Sequence, residues 1–424
     1  MKRNVSLWLA VVVLPLISGT LYSQGDFPLT IVNKTNNPQV KNIYVVVKGI
    51  NPVTNNQCFI EFKPDKKVGT YVDITKNTDA RSYAYDYTTF KNYTMHMPNL
   101  ISGRIYVSIN KKLAMPIVVD ARGILGIADP SPYNTTDPNY NSFFDKIEFT
   151  YIGNNTWTNP TAVDFFALPL SIEQAGKTYG LTQPRKKIIS GVVSTFNNAS
   201  NKAWKKLIVN NDQGAVLRIL APGRDDNYFD PNYLTGTPYN YVEDVWNYYR
   251  KNSLIIDCAE LRGNPAAPKL GDYMFTGTVK GNSFVFTNAT KDYTVTIEKP
   301  SSNSFFLGAQ GAFEAQNNTP KAIIVRNLSA AWCIGLLPTE DKAVLNRNYY
   351  DAHRAQFYTH NPRLSPLSKV NGPYYNLYGK ALHQFSTTVY TWAYDDAFGY
   401  DGTNASTADR PATLTVWDMS GTPI

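Results

Sequence analysis

Over residues 27–170 apolar and polar side chains alternate in the two-residue period of half-buried strands. The runs at 43–47, 71–74, 104–109, 117–119 and 146–151 are short and rich in β-branched and aromatic residues. Gly, Pro and Asn clusters separate them. This pattern predicts an all-β sandwich or barrel. Residues 128–142 (ADPSPYNTTDPNYNS) carry turn formers and no period, so they predict a loop.

A helical period then takes over. Val242, Val245, Trp246 and Tyr249 recur at i, i+3, i+4 and i+7, predicting a helix over 241–252 capped by Asn240 or Thr237. Strands are predicted at 254–256, 273–278 and 283–287, the last two joined by a turn at 280–282. Helices are predicted at 327–337 and 375–385, and final strands at 387–393 and 412–417. The chain thus reads as mainly β with an α+β part. A β-barrel or sandwich over 25–172 and 386–424 is left by the chain for a mixed α/β unit over 173–385, then rejoined.

Residues 1–24 read differently. Lys2 and Arg3 precede the apolar stretch 7–17, and small and polar residues follow. This is the layout of a secretory signal peptide, and the apolar run is short for a membrane span. The expectation is an exported protein, extracellular or periplasmic, with no membrane span after processing. Loss of Lys2 and Arg3 removes two units from the formal net charge of +8. The remaining basic residues are scattered rather than gathered into a patch, which argues against nucleic acid as a partner.

Charged residues make up 17% of the chain and aromatic residues 13%. Soluble domains average about 25% charged, so amides, hydroxyls and rings must cover much of this surface. Cys58, Cys258 and Cys333 are widely spaced; an exported chain could join two of them, and the sequence does not choose the pair. No HExxH, CxxC, glycine-rich phosphate loop or GxSxG elbow occurs, and the four histidines are dispersed. No metal or cofactor is therefore expected, and acid–base chemistry falls to carboxylates.

Two carboxylates stand beside aromatic residues. Glu148 lies within the strand KIEFTY, and Asp164 within PTAVDFFALP, with the turn formers Gly153-Asn154-Asn155 between them. Thr150, Trp157 and Thr161 lie around the same bend. An acid and a base flanking a scissile oxygen suit glycoside hydrolysis, because sugars offer C–H faces to rings and hydroxyls to amides and Thr. Each acid also has a bland reading: Lys146 could pair with a neighbouring carboxylate, and Asp164 could bond a turn backbone.

The segment FDKIEFTY…NPTAVDFFALPLSI resembles the signature of glycoside hydrolase family 64, the inverting endo-β-1,3-glucanases of the thaumatin-like group. Further matches lie at 219–224 (ILAPGR), at Tyr241, Val245, Trp246 and Tyr249, and at 393–399 (AYDDAFG). The resemblance covers about residues 27–420. It implies a thaumatin-like β domain and a mixed α/β domain forming a wide cleft. It also implies that Glu148 is the general acid and Asp164 the general base. Thr150, Trp157 and Thr161 match positions lining glucan subsites. Tyr394, Asp395 and Asp396 match an acidic cleft wall more loosely, where capping a turn is an equal alternative. Lys146 stands where plant thaumatin-like proteins often carry Arg, with two readings left open, tuning Glu148 electrostatically or no role at all. Glu148 is further expected to need a raised pKa, from burial near Phe149 or a nearby acid. The implied partner is a β-1,3-glucan, the implied assembly a monomer. The runner-up is a non-catalytic β-glucan-binding surface protein.

Overall fold

The computed structural model describes residues 25–236, 239–308 and 310–424. The predicted export signal and the alternative cap Thr237 lie outside these residues. The chain is mainly β with several helices.

Two sheets face each other. The five-stranded sheet runs, edge to edge, Lys177–Gly180, Leu170–Gln174, Ala412–Val416, Phe27–Asn33 and Thr94–Met97. The eight-stranded sheet runs Asn404–Thr407, Asn155–Pro160, Phe144–Ile152, Leu100–Ile109, Ile43–Ile50, Gln57–Glu61 and Thr70–Asp73, with Ala84–Asp86 as a further partner of Ile43–Ile50. Neither sheet closes on itself, so the sandwich alternative holds and the closed barrel does not. Alternate residues of facing strands fill the space between: Leu29, Ile31, Val45, Val47, Ile105, Val107, Ile147, Phe149, Leu414 and Val416. Each such side chain contributes roughly 1.5–3 kcal/mol when fully buried. That burial fixes which face of every strand looks inward.

The chain does leave the sandwich and return. Ala412–Val416 inserts between Phe27–Asn33, to which it is parallel, and Leu170–Gln174, to which it is antiparallel. The sandwich sheet also takes in Lys177–Gly180, beyond the expected boundary at residue 172. The predicted strand at 387–393 is reduced to a single bridge between Thr161 and Tyr390. Its N–H groups are taken elsewhere: Thr391 and Trp392 both donate to the Asp395 carboxylate.

Between departure and return lie the helices Arg185–Asn197, Tyr241–Tyr249, Pro320–Cys333 and Leu377–His383. A second five-stranded sheet runs Thr294–Glu298, Ser283–Asn288, Met274–Lys280, Leu254–Asp257 and Ala343–Leu345. Asn240 caps its helix by accepting from Glu243 N–H at 2.8 Å. The fully buried Trp204, Trp246 and Trp332 anchor this part, in one apolar cluster with Val46, Phe59, Tyr106 and Phe144 from the outer face of the eight-stranded sheet. Cys58, Cys258 and Cys333 are all free and buried, so none of the pairings left open by the sequence forms. No helix among the described residues is long and apolar enough to cross a membrane.

Candidate active site

The site grows out of strand register. Glu148 lies opposite Arg104 on one side and Asn159 on the other, and Arg104 lies opposite Lys48. These four residues form one row across four strands. Lys146 pairs with Tyr106 in a neighbouring row, and Thr150 with Trp157 in the row beyond. Ile147 and Phe149 are committed to the sandwich core, so Lys146, Glu148 and Thr150 project from the opposite face. That face changes character along the strand. Phe144 is sealed beneath the helical part, whereas from Lys146 onward the face floors a cavity of about 760 Å³.

A β-bulge shapes the floor. The pairing of Phe144–Ile152 with Leu100–Ile109 slips between Phe149 and Tyr151, where Ser102 takes a positive φ of 48°. Its N–H is thereby aimed at Thr150 Oγ1, 3.3 Å away. Next to it only glycine fits at 103, since a Cβ there would lie 2.5 Å from the Phe149 ring.

Asp164 reaches the same floor from a different element. After Asn155–Pro160 the chain bends away through the Thr161–Tyr390 bridge. The Asp164 carbonyl accepts from Ala221 N–H at 2.9 Å and from the Tyr133 hydroxyl. Beyond it, Ala167 and Leu168 donate their N–H groups to the buried Asp145 carboxylate at 2.9 and 3.1 Å. Burial pushes the Asp145 carboxyl up to about 7, against the pull of those N–H bonds. The Asp164 carboxylate meets Lys146 Nζ through Oδ2 and Arg224 Nη2 through Oδ1, the latter at 3.1 Å. Burial opposes its charge, but Lys146, Arg224 and Arg104 prevail and hold it far below the usual carboxylate range. Asp164 is therefore ionised, and each oxygen keeps lone-pair capacity for a water.

Glu148 faces a different charge. Arg104 Nε lies 3.4 Å from Glu148 Oε1. The immediate charged neighbour is thus a guanidinium, not the acid that was one of two alternatives raised from sequence. Arg104 also binds Asp129, whose other oxygen takes Lys48 Nζ. Burial works against the Asp129 charge, yet Lys48 and Arg104 draw its carboxyl down to about 2. Asn159 Oδ1, in the Glu148 row, has no hydrogen-bond partner among the described residues. Lys48, Arg104, Lys146 and Arg224 line the cavity with Asp129, Asp137, Glu148 and Asp164, four cations against four acids. The formal charges cancel.

Of the residues singled out from sequence, Lys146, Glu148, Thr150, Trp157 and Asp164 line this cavity together. Thr161, Tyr394, Asp395 and Asp396 are not among its lining residues. Thr161 is buried at the bridge to Tyr390. Asp395 and Asp396 open the short 3-10 turn Asp395–Phe398, directly preceded by Tyr394, and Asp395 is fully buried against His383 and Thr391. Turn capping, the alternative reading of that segment, describes Asp395. The cavity is built on the outer face of the eight-stranded sheet and the 126–138 segment, and from residues 173–385 Arg224 alone reaches it among the described residues. Sequence reasoning passed over Lys48, Arg104, Asp129, Tyr133 and Asn159, and quoted Arg224 only as the end of the ILAPGR match, without a role. Arg104 and Tyr106 had a signal, the polar half of the alternation RIYVSI. Asp129 and Tyr133 had none, sitting in a patternless loop. No group of three or more His, Cys, Asp or Glu side chains able to hold a metal ion is found among the described residues.

Comparison with known proteins agrees with this architecture. The sequence profile of glycoside hydrolase family 64, described as beta-1,3-glucanase, matches residues 25–417, and the chain belongs to this family. It is 27% identical over 319 residues to a glucan endo-1,3-beta-glucosidase of Arthrobacter sp. (strain YCWD3), covering 73% of this chain and 51% of the relative. The same figures hold for the enzyme of that name from Cellulosimicrobium cellulans. The chain thus spans about half the length of the curated relatives it matches. Among solved structures, a family 64 beta-1,3-glucanase domain from Clostridium beijerinckii superposes with a TM-score of 0.68 at 23% identity, covering 94% of this chain and all of that one. A laminaripentaose-producing beta-1,3-glucanase in complex with laminaritetraose gives 0.71 at 23% identity, covering 93% and 99%. The fold is that of these domains.

Proposed function

We propose that this chain is an exported endo-β-1,3-glucanase that cleaves laminarin- or curdlan-like polymers internally with inversion, releasing short oligosaccharides. One observation carries the reading: Glu148 and Asp164, from two separate elements, line one cavity whose charges cancel. A cavity without net charge suits a neutral polysaccharide, for which ionic attraction offers nothing. The name and bound ligand of the family relatives support the same substrate class. The likeness to those domains also supports a thaumatin-like origin for the sandwich, with 173–385 as a distinct α/β part.

In this reading Glu148 protonates the leaving glycosidic oxygen while Asp164 draws a proton from a water on the opposite sugar face. Inverting pairs stand about 6.5–9.5 Å apart to admit that water. Asp164, kept ionised by Lys146 and Arg224, is in the protonation state a base needs, although the same cations weaken its basicity. Trp157 offers its ring to a sugar C–H face, and Thr150 a hydroxyl. Lys146 acts on Asp164, its ion-pair partner, rather than on Glu148.

The test is hydrolysis of linear β-1,3-glucan, with products and anomeric configuration followed by NMR. Glu148→Gln and Asp164→Asn should each reduce release of reducing sugar by about 10²–10⁴-fold. Full activity in either variant would overturn the roles. Retention of the wild-type protein on insoluble β-1,3-glucan without any release of sugar would favour the non-catalytic binding protein instead.

A further inference from the structure

Asp129 is unusual among the cavity acids. It comes from the 128–142 loop, not from the sheet, yet three side chains of the sheet floor converge on it. Lys48 Nζ pairs with Oδ1, Arg104 Nη1 with Oδ2, and the Tyr106 hydroxyl shares a hydrogen bond with the same carboxylate. Lys48 and Tyr106 are buried, at 8% and 1% exposure, so neither can turn to solvent for a partner. The loop is itself pinned. Fully buried Arg218 donates to the carbonyls of Pro132, Tyr140 and Ser142, the last at 2.9 Å. Asp137 also accepts from Ser131 N–H at 2.9 Å. The Asp129 carboxylate is therefore delivered onto the floor by a clamped segment.

We propose that Asp129 is a positioning residue for the reaction: by gathering Lys48, Arg104 and Tyr106 it sets both the orientation of the Arg104 guanidinium and the net positive charge that faces Glu148. The inference rests on the proposed role of Glu148 as the acid. Its geometry is a chain of contacts, Lys48 to Asp129 to Arg104 to Glu148, along one row of the sheet and the loop above it. A general acid must keep its proton until substrate arrives, and an unopposed guanidinium beside it favours loss of that proton. Asp129 opposes it, and binds Arg104 through Nη1, leaving Nε toward Glu148.

The other charged or titratable groups around Glu148 are accounted for. Its own strand brings Lys146, which is tied to Asp164. The Leu100–Ile109 strand brings Arg104 and Tyr106, and Ile43–Ile50 brings Lys48. The 128–142 loop brings Asp129, Tyr133 and Asp137. The turn after Asn155–Pro160 brings Asp164, and the loop beyond Ile219 and Leu220 brings Arg224. Among these three acids Asp129 is the one seen to share Arg104 with Glu148 in the ion pairs of the described residues.

The experiment is a carboxyl ¹³C NMR titration of Glu148 in the full chain labelled at Glu, with the resonance assigned by its loss in Glu148→Gln. Asp129→Asn keeps the shape and deletes the charge. The Glu148 midpoint should fall by about one pH unit relative to wild type. Lys48→Met removes a cation from the same group and should move the midpoint the other way. Opposite signs are the signature of charge, which a merely structural role would not produce. An unmoved midpoint in Asp129→Asn, or shifts of the same sign in both variants, would overturn the proposal. If Asp129→Asn does not fold, the Lys48→Met arm decides by itself: an upward shift supports the proposal, and no shift or a downward one defeats it. The alkaline limb of the kcat/KM profile should follow the same order. The titration needs no turnover, so absence of glucan hydrolysis would sink the functional reading and leave this result separately legible.

Discussion

Two acidic segments attract attention in the sequence, one holding Asp164 and the other holding Asp395 and Asp396, and the fold treats them in opposite ways. Asp164 takes one cation on each oxygen and still borders the cavity, with a side-chain exposure of 23%. Asp395 is 1% exposed; its Oδ2 accepts from Thr391 N–H at 2.6 Å, Thr391 Oγ1 at 2.9 Å and Trp392 N–H at 3.2 Å, with His383 Nε2 at 3.2 Å. One carboxylate is oriented by side-chain charges and left with room for another molecule. The other is spent on the backbone of its own turn. An acid's role follows from what its lone pairs face, and that is a property of the fold rather than of the motif.

The largest expected contrast tests this division directly. Glu148→Gln should lower kcat by about 10²–10⁴-fold and shift Tm by no more than a few degrees. Asp395→Asn should do the reverse. Removing the charge weakens every contact that converges on its Oδ2, at a cost of about 1–3 kcal/mol, hence a loss of several degrees in Tm. The activity of the folded fraction should stay within a few-fold. A catalytic collapse in Asp395→Asn with Tm unchanged would erase the distinction.

A smaller effect is expected at Trp157. Its ring lies on the cavity face opposite Thr150, half-buried and with no aromatic partner of its own among the described residues. Trp157→Ala should raise KM about tenfold, corresponding to about 1.4 kcal/mol of lost contact, with kcat less affected. A change confined to kcat would move Trp157 from binding to chemistry.

The sequence made one face of the site readable and hid the other. Strict alternation in KIEFTY put Ile147 and Phe149 in the core, so Glu148 and Lys146 had to share the opposite face once the strand was recognised. Trp157 and Thr150 followed from the same hairpin. What alternation cannot convey is what lies above a sheet. Asp129 and Tyr133 arrive from a loop, and Arg224 arrives from within the 173–385 insertion. Their positions depend on the buried Arg218 clamp and on long-range strand order. The helix Arg185–Asn197 also escaped, because Gly191 and the β-branched Ile188, Ile189 and Val192 speak against a helix locally. It forms because Ile188, Val192 and Phe196 pack into the core. The strand expected at 387–393 failed for the opposite reason, a local carboxylate outcompeting the ladder.

A subtler test asks whether Lys146 truly belongs to Asp164. Lys146 is among the forces holding the Asp164 carboxyl below its ordinary range, so Lys146→Met should raise that pKa. A base must be ionised to act, so the acid limb of kcat/KM should move to higher pH, by about one unit. If the alkaline limb moves instead, Lys146 acts on Glu148, one of the two readings open from sequence.

The smallest effect is expected at Asp396, next in sequence to Asp395 and outside the cavity. Burial raises its carboxyl to about 6, with Arg326 opposing and Asp401 and Asp395 adding to the rise. A folded-state pKa above the unfolded value near 3.8 means that the folded protein binds this proton more tightly. The associated stability is fully present below about pH 4 and declines as the pH rises through about 6. Asp396→Asn removes the titration. Compared with wild type, the variant should gain about a degree or two in Tm above pH 6, show little or no gain at pH 4, and keep glucan hydrolysis within twofold at either pH. Loss of hydrolysis would bring Asp396 back to the site, against its position beside the Asp395 turn. A Tm difference independent of pH would remove its titration from the account and leave Asp395 as the acid of that turn with a structural role.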